Sequence, residues 1–175
     1  RTTRRGGRSA LLIAPKEIIV TIDGKKCRGH DGQTILEIAS ANGIHIPTLC
    51  YLKNLTPWGG CRMCIVEVSG NPKAVPSCAT PASDGSAVTT KNDRLQHLRR
   101  LTLELLFSER NHICPICPMN KGDCDLQYQA YTFGIDSVRY PYLYPAMPVD
   151  VTGQFLGLDH NRCILCTRCV RSCEE

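Results

Sequence analysis

The 175-residue sequence has no apolar run near the ~18 residues that a membrane-crossing helix needs. Its longest apolar runs lie around Leu11–Ala14 and Leu103–Phe107, the second of which is interrupted by Glu104. It also lacks the glycine-rich loops that bind dinucleotides or nucleoside triphosphates, and no nucleophile paired with a general base is visible. These absences argue against a membrane span and against catalysis by this chain alone.

Cysteine, in contrast, is abundant: twelve residues, eleven of them in three spaced groups. The first group, C-x10-C-x2-C-x13-C, differs from the plant-type ferredoxin run mainly in its longer first gap. The last group has the C-x2-C-x2-C-x3-C spacing of bacterial ferredoxins. The groups are Cys50, Cys61, Cys64 and Cys78; His112, Cys114, Cys117 and Cys124; and Cys163, Cys166, Cys169 and Cys173. Their spacings predict a series of iron–sulfur clusters whose iron atoms are bound by these side chains. A series of clusters in turn predicts electron transfer.

Disulfides and zinc are the alternative uses of so many cysteines. Two residues between paired cysteines place both sulfurs round one metal more naturally than they form separate bridges. We therefore expect a reducing compartment, the cytoplasm. Zinc sites also use CxxC pairs, but a tetrahedral zinc ion has no need of the last group's fourfold run. Cys27 fits none of the groups and is expected to be a structural or free thiol.

The formal net charge of +5 counts every cysteine as neutral. Thiolates round a cluster core make each site negative, so a chain loaded with clusters lies near neutrality. We therefore expect no nucleic-acid partner. The first eight residues carry four arginines and no acid, which predicts a basic flexible tail over residues 1–16, with the remnant of a targeting peptide as the alternative.

The segment 17–91 shows the element order of a β-grasp domain. Asp23-Gly24 is a hairpin turn signal, and Thr34 with Glu37 forms a capping box that starts a helix. The loop before Cys61 is rich in glycine, which we expect to turn backbone N–H groups toward the sulfurs. Strands are predicted at Glu17–Ile22, Lys25–Arg28, Ile65–Val68, Ala74–Ser77 and Ala87–Thr90.

A long helix and an extended connector are predicted next. Asn92 or Asp93 caps a helix that runs to about Phe107. Its apolar stripe is expected to pack between modules. Residues 136–158 are rich in Pro, Tyr and Gly, so we expect a connector wrapped over neighbouring surface, with its tyrosines buried. The stripe comprises Leu95, Leu98, Leu101, Leu105 and Leu106.

Several of these segments resemble a known family. Ile46–Tyr51, Gly60–Cys64 and Asn161–Arg171 resemble the amino-terminal iron–sulfur region of the complex I large peripheral (75 kDa-type) subunit. Glu104–Glu109 and the following Asn111–Cys114 are most similar to the diaphorase iron–sulfur subunit of bidirectional NAD-reducing [NiFe] hydrogenases. The similarity runs from about residue 17 to the last residue.

The resemblance implies an electron relay between a flavin subunit that handles NAD(H) and a catalytic partner, with a hydrogenase as the leading choice. It implies that Cys50, Cys61, Cys64 and Cys78 hold a [2Fe-2S] cluster and that His112, Cys114, Cys117 and Cys124 hold a [4Fe-4S] cluster. A bystander His112, with a fourth ligand from elsewhere, is the alternative. The expected fold class is α+β: a β-grasp [2Fe-2S] ferredoxin domain (17–91), a small helical [4Fe-4S] domain with one histidine and three cysteine ligands (92–135), the connector (136–158) and the start of a ferredoxin-like [4Fe-4S] domain (159–175).

The third group is incomplete within this sequence. In two-cluster ferredoxins the first three cysteines hold one cluster and the fourth serves another. Cys163, Cys166 and Cys169 would then need a ligand from beyond Glu175, while Cys173 would serve a different cluster. Two other functions compete with the relay subunit. One is the front end of a longer formate dehydrogenase, [FeFe] hydrogenase or complex I subunit, and the other is a structural or sensory iron–sulfur module.

Overall fold

The computed structural model of the protein describes residues 15–117, 119 and 121–175. The basic tail predicted over residues 1–16 therefore lies outside the described residues except for its last two. Strands are β1 (Glu17–Ile22), β2 (Lys25–His30), β3 (Ile65–Val68), β4 (Val75–Pro76) and β5 (Ala87–Thr89). Helices are α1 (Ile35–Ala41), α2 (Asp93–Glu109), α3 (Asp125–Thr132) and α4 (Arg168–Glu174), with short 3-10 turns at Cys114–Ile116 and His160–Arg162. The α+β class is confirmed.

The five strands form one mixed sheet in the order β2-β1-β5-β3-β4. β1 and β5 pair in parallel at its centre, and the other neighbours are antiparallel. The buried residues of β1 alternate with more exposed ones, as expected for a strand with one face on the core. The predicted hairpin is confirmed: Asp23 and Gly24 both have positive φ, 48° and 81°, as a type I′ turn requires.

Helix α1 covers one face of the sheet. The predicted capping box is present: Thr34 Oγ1 accepts from Glu37 N–H at 3.2 Å, and Glu37 Oε2 accepts from Thr34 N–H at 2.8 Å. Gly29 of β2 lets the helix approach closely, because a Cβ there would lie 2.5 Å from Ile38 Cδ1. The sheet and α1 therefore share one core, which includes Cys27, 0% exposed as a structural thiol should be.

A second apolar core joins elements that are distant in sequence. Its buried members are Leu49, Met63, Leu103 and Leu126. Cys61 of the first group, Cys124 of the second and Ile164, which follows Cys163 of the third, pack against it. The segments that carry the three groups thus meet round one core.

The apolar stripe predicted on α2 is partly wrong. Leu105 is 48% exposed, while two charged residues, Arg99 and Glu104, are 2% and 1% exposed. Arg99 donates to backbone carbonyls, and Glu104 is bound by Arg139 with Nε–Oε2 and Nη2–Oε2 distances of 2.9 Å. Leucine spacing could not show this, because hydrogen-bonding partners elsewhere in the chain make burial of these charges tolerable. The helix boundaries agree well, with Asn92 as the N-cap.

The connector lies over α2 as expected, but its tyrosines are not buried. Arg139 holds Glu104, and the Leu143 N–H donates to the Ser108 carbonyl at 2.8 Å. Tyr142 and Tyr144 are 56% and 40% exposed, so the expectation of buried tyrosines is wrong for the chain by itself. An extended segment of this kind has no second layer of its own to cover its side chains. No helix in the described part of the chain is long and apolar enough to cross a membrane.

Candidate iron–sulfur sites

The first site gathers its four cysteines from three parts of the fold. Cys50 follows α1 by a short loop, Cys61 and Cys64 lie in the loop before β3, and Cys78 lies two residues after the end of β4. Cys50, Cys64 and Cys78 are buried, and Cys61 is half-buried. The thiols meet in two hydrogen-bonded pairs, Cys50 with Cys61 and Cys64 with Cys78. The structure therefore brings together all four predicted ligands.

One thiol of each pair is poised as a thiolate, the form that binds metal. The hydrogen bond from Cys50 and the backbone N–H groups of Met63, Cys50 and Leu49 lower the pKa of Cys61 to about 6. The hydrogen bond from Cys78, with its backbone N–H and the Ser77 hydroxyl, lowers the pKa of Cys64 to about 7. The donating thiols, Cys50 and Cys78, have raised pKa values because they must keep their protons to donate.

The backbone N–H groups that donate to Cys61 are not those of the loop glycines, contrary to the expectation from the sequence. The Cys50 N–H lies 3.4 Å from Cys61 Sγ, and Leu49 and Met63 also donate, so these donors are not the loop glycines. The glycines shape the loop instead. Gly59 has φ +68°, and a Cβ on Gly60 would lie 2.5 Å from the ring of Trp58. Trp58 therefore lies directly over Gly60 beside the cysteine pair, 49% exposed.

A buried arginine supports the first site from α2, and sequence analysis missed it. Arg99 Nε donates to the Met63 carbonyl at 3.1 Å, and Nη2 donates to the carbonyls of Ile65 and Thr90 at 2.7 and 2.9 Å. Met63 and Ile65 flank Cys64 in sequence. A guanidinium fork can satisfy several carbonyls at once, which fixes the backbone on both sides of this cysteine.

The second site is a cavity of about 780 Å³ whose lining includes His112, Cys114, Cys117 and Cys124. The 3-10 turn carries Cys114, Cys117 ends that turn, and Cys124 is the residue before α3. Arg162 and Ile164, from the segment that carries the third group, line the same cavity. All four predicted ligands therefore face one space large enough for a cluster, next to the third group.

His112 is half-buried, and one of its ring nitrogens and its pKa have the properties expected of a metal ligand. Its Nε2 is buried and has no hydrogen-bond partner among the described residues. Its ring meets Phe107 edge-on, with ring centroids 5.5 Å apart. Burial lowers the pKa of His112, and the charges of Arg162 and Arg110 lower it further, which favours the neutral imidazole. A neutral imidazole with a free nitrogen is the form that binds metal.

The third group runs from the end of the second 3-10 turn into α4. Cys163 and Cys166 are half-buried, whereas Cys169 and Cys173, on α4, are exposed. Leu165 and Thr167 have positive φ, 53° and 57°, and the Leu165 N–H points at Cys163 Sγ from 3.4 Å. The backbone after Cys163 thus turns back toward its sulfur. Among the described residues, no three His, Cys, Asp or Glu side chains converge on a single metal ion.

Comparison with known families defines the class of protein. Residues 15–93 match the family described as a 2Fe-2S iron–sulfur cluster binding domain. Residues 99–139 match the NADH-ubiquinone oxidoreductase-G iron–sulfur binding region. These ranges contain the first and second sites, so the chain is an iron–sulfur protein, and the prediction of [2Fe-2S] and [4Fe-4S] clusters is confirmed.

Sequence similarity to individual proteins shows which iron–sulfur proteins this chain resembles. Over 153 residues the chain is 40% identical to the NAD-reducing hydrogenase HoxS subunit gamma of Cupriavidus necator, covering 87% of this chain and 64% of that relative. It is 38% identical to the NADPH-Fe(3+) oxidoreductase subunit alpha of Geobacter sulfurreducens, covering 88% of this chain and 18% of the relative. It is also 38% identical to the mitochondrial NADH-ubiquinone oxidoreductase 78 kDa subunit of Candida albicans, covering 89% of this chain and 22% of the relative.

A solved structure agrees with these relatives. The crystal structure of an NAD+-reducing [NiFe]-hydrogenase in its H2-reduced state contains a chain that superposes with a TM-score of 0.83 at 42% identity. The match covers 88% of this chain and 64% of that one. The chain thus spans under two thirds of its hydrogenase relatives and about a fifth of the two longer ones. The predicted resemblance to the diaphorase iron–sulfur subunit and to the complex I large peripheral subunit is confirmed.

Proposed function

We propose that the chain is an electron-relay subunit, or the relay part of one, in an NAD-linked oxidoreductase. It carries electrons between a flavin subunit that handles NAD(H) and a catalytic partner, for which a [NiFe] hydrogenase is our choice. The observation that carries this proposal is the second apolar core, which Cys61, Cys124 and Ile164 all contact. Electron transfer needs clusters close together, and one shared core keeps the three sites adjacent.

The proposed ligands follow the geometry of each site. The two thiol pairs suit a [2Fe-2S] cluster, in which four thiolates are shared between two irons. His112 with Cys114, Cys117 and Cys124 would hold a [4Fe-4S] cluster, and the unpaired Nε2 supports His112 as a ligand rather than a bystander. Cys163, Cys166 and Cys169 would hold a further [4Fe-4S] cluster completed by a ligand from beyond Glu175, with Cys173 serving another.

The proposed domains correspond to these ligand sets. They are a β-grasp [2Fe-2S] domain over residues 17–91, a helical domain over 92–135, the connector over 136–158 and a ferredoxin-like segment over 159–175. The sheet order, with β1 and β5 parallel at its centre and α1 on one face, supports the β-grasp assignment. A reducing location, the cytoplasm, is proposed because none of the twelve cysteines, all of which lie in the described part of the chain, forms a disulfide.

A second candidate is the front end of a longer catalytic polypeptide. It is favoured by two of the relatives, in which a segment like this chain makes up only 18% and 22% of the protein. The length of the native protein distinguishes the two proposals. A short ferredoxin-like ending supports the relay subunit, whereas several hundred further residues support a complex I-like or dehydrogenase-like enzyme.

Anaerobic purification tests the relay directly. We expect comparable amounts of iron and acid-labile sulfide, and clusters that NADH reduces within one turnover when the flavin partner is present. The isolated, flavin-free chain should stay oxidised with NADH, because its sequence carries no glycine-rich dinucleotide-binding motif. Reduction of the isolated chain by NADH, or a preparation with zinc and no sulfide, would contradict the proposal.

A further inference from the structure

A buried arginine on α4 connects the first cysteine group to the third. Arg171 is 8% exposed, and its Nη2 donates to the Cys50 carbonyl at 2.6 Å and to the Cys166 carbonyl at 3.3 Å. Its Nη1 donates to the Thr56 carbonyl at 2.7 Å. One guanidinium therefore touches the backbone of a proposed ligand of the [2Fe-2S] cluster and of a proposed ligand of the third cluster.

A second arginine on the same helix extends this connection. Arg168 Nη2 donates to the Tyr51 carbonyl at 3.0 Å, and Nη1 binds Asp125 Oδ2 at 2.8 Å. Tyr51 follows Cys50 and Asp125 follows Cys124, so Arg168 joins residues adjacent to ligands of the first and second sites. It also lines the cavity of the second site. The two arginines dock α4 against both other sites.

The two side chains differ in electrostatic setting. Arg168 forms an ion pair with Asp125. The partners of Arg171 are neutral: three carbonyls and the Thr167 hydroxyl at 3.1 Å, with no ion pair among the described residues. A buried positive charge without a paired anion acts strongly on its surroundings, because the local dielectric constant is low.

From this geometry we propose that Arg171 is a positioning residue that also raises the reduction potential of the [2Fe-2S] cluster. Its guanidinium holds the Cys50 loop against α4, which fixes the spacing of the first and third clusters. Its charge favours the reduced cluster, which is more negative than the oxidised one by one electron. Arg168 contributes to the spacing but is neutralised by Asp125. This inference rests on the proposed relay function.

Arginine suits this position better than lysine. Four acceptors surround the Arg171 side chain, and a planar guanidinium presents five donors in a fixed fork. A lysine keeps the charge but directs only three donors from a single atom. The Arg171→Lys variant therefore separates the charge from the docking geometry.

The test is a redox titration of the [2Fe-2S] signal by electron paramagnetic resonance in the full-length protein within its complex. We expect Arg171→Met and Arg171→Gln to shift the midpoint potential to more negative values, and Arg171→Lys to restore most of the shift. We also expect the Met variant to weaken the magnetic interaction between the first and third clusters. Arg28→Met, which removes an exposed charge from the opposite edge of the sheet, is the matched control and should shift nothing.

Equal potentials in Arg171→Met and Arg28→Met would overturn the inference. If Arg171→Met fails to assemble its cluster, the comparison of Arg171→Lys with Arg171→Gln tests the inference. The midpoint potential of the Lys variant should then lie above that of the Gln variant, and equal potentials would overturn the inference as well. Failure of the relay proposal is distinguishable, because NADH would then fail to reduce the clusters of the unmodified complex, whereas the potentials of the Arg171 variants are measured by chemical redox titration.

Discussion

Substitution of Arg99 by Met should destabilise the chain and release the [2Fe-2S] cluster. Met keeps the apolar stem and the approximate volume of the side chain but removes every donor. Three carbonyls, those of Met63, Ile65 and Thr90, would then lose hydrogen bonds of 2.7–3.1 Å in a site where the arginine is 2% exposed. Among the described residues, no other side chain donates to these carbonyls and could replace the guanidinium.

The size of the effect follows from these contacts. A hydrogen bond to a charged donor contributes about 1.5–3 kcal/mol, and a buried unsatisfied acceptor costs about 1–3 kcal/mol. Part of that loss is offset, because the variant no longer has to desolvate a guanidinium. We therefore expect the free energy of unfolding to fall by about 3–5 kcal/mol. In a chain of this length such a loss lowers Tm by roughly 10 °C.

The assay is anaerobic urea or thermal unfolding of the cluster-loaded protein, followed in parallel by the [2Fe-2S] signal. Arg94→Met is the control on the same helix: Arg94 is 55% exposed and binds Glu67 at 2.7 Å, so its loss should cost less than about 1 kcal/mol. The signal should be lost earlier in Arg99→Met than in the control. Equal stability of the two variants would show that the three carbonyl contacts contribute little, and the reasoning would be wrong.

Three further predictions concern single side chains. Cys61→Ser should abolish or distort the [2Fe-2S] signal while the [4Fe-4S] signals remain, whereas Cys27→Ser, outside the site, should change no signal. His112→Cys should keep a [4Fe-4S] cluster of lower potential and His112→Ala should lose it; unchanged iron content in His112→Ala would make His112 a bystander. Hydrogen bonds, first from Arg94, lower the pKa of Glu67 below its ordinary 4.5, so this carboxylate stabilises the fold above its unfolded-state pKa and loses that effect as the pH falls through its folded pKa. Acid titration of unfolding should show Glu67→Gln converging with the wild type at low pH, and a constant difference would contradict the sign.

Much of the local structure could be predicted from the sequence because its causes are local. The Asp23-Gly24 turn needs two residues that tolerate positive φ, and the capping box of Thr34 and Glu37 is complete within four residues. The N-cap of α2 at Asn92 follows from the same rule. The ends of short strands were predicted less accurately. β4 has two residues where four were predicted, because its ends are set by its partner β3 and not by its own residues.

The cysteine spacings likewise determined which residues form each group. A CxxC pair brings two sulfurs together whatever the rest of the chain does, and the ferredoxin-type run distinguishes iron–sulfur chemistry from zinc. Spacing could not show that Cys50 pairs with Cys61 and Cys64 with Cys78. That pairing depends on where β4 delivers Cys78.

Only the tertiary structure decided which charged residues are buried, and why. Nothing in the sequence next to Arg99 or Arg171 distinguishes them from exposed arginines. Each nevertheless donates to backbone carbonyls of a loop that carries proposed cysteine ligands. For Arg171 those carbonyls lie more than 100 residues away in the chain. A buried guanidinium is tolerable only when distant acceptors converge on it, and that convergence is a property of the folded chain. The sequence by itself determined which atoms could bind iron, whereas the fold determined how close the three sites lie and which charges act on them.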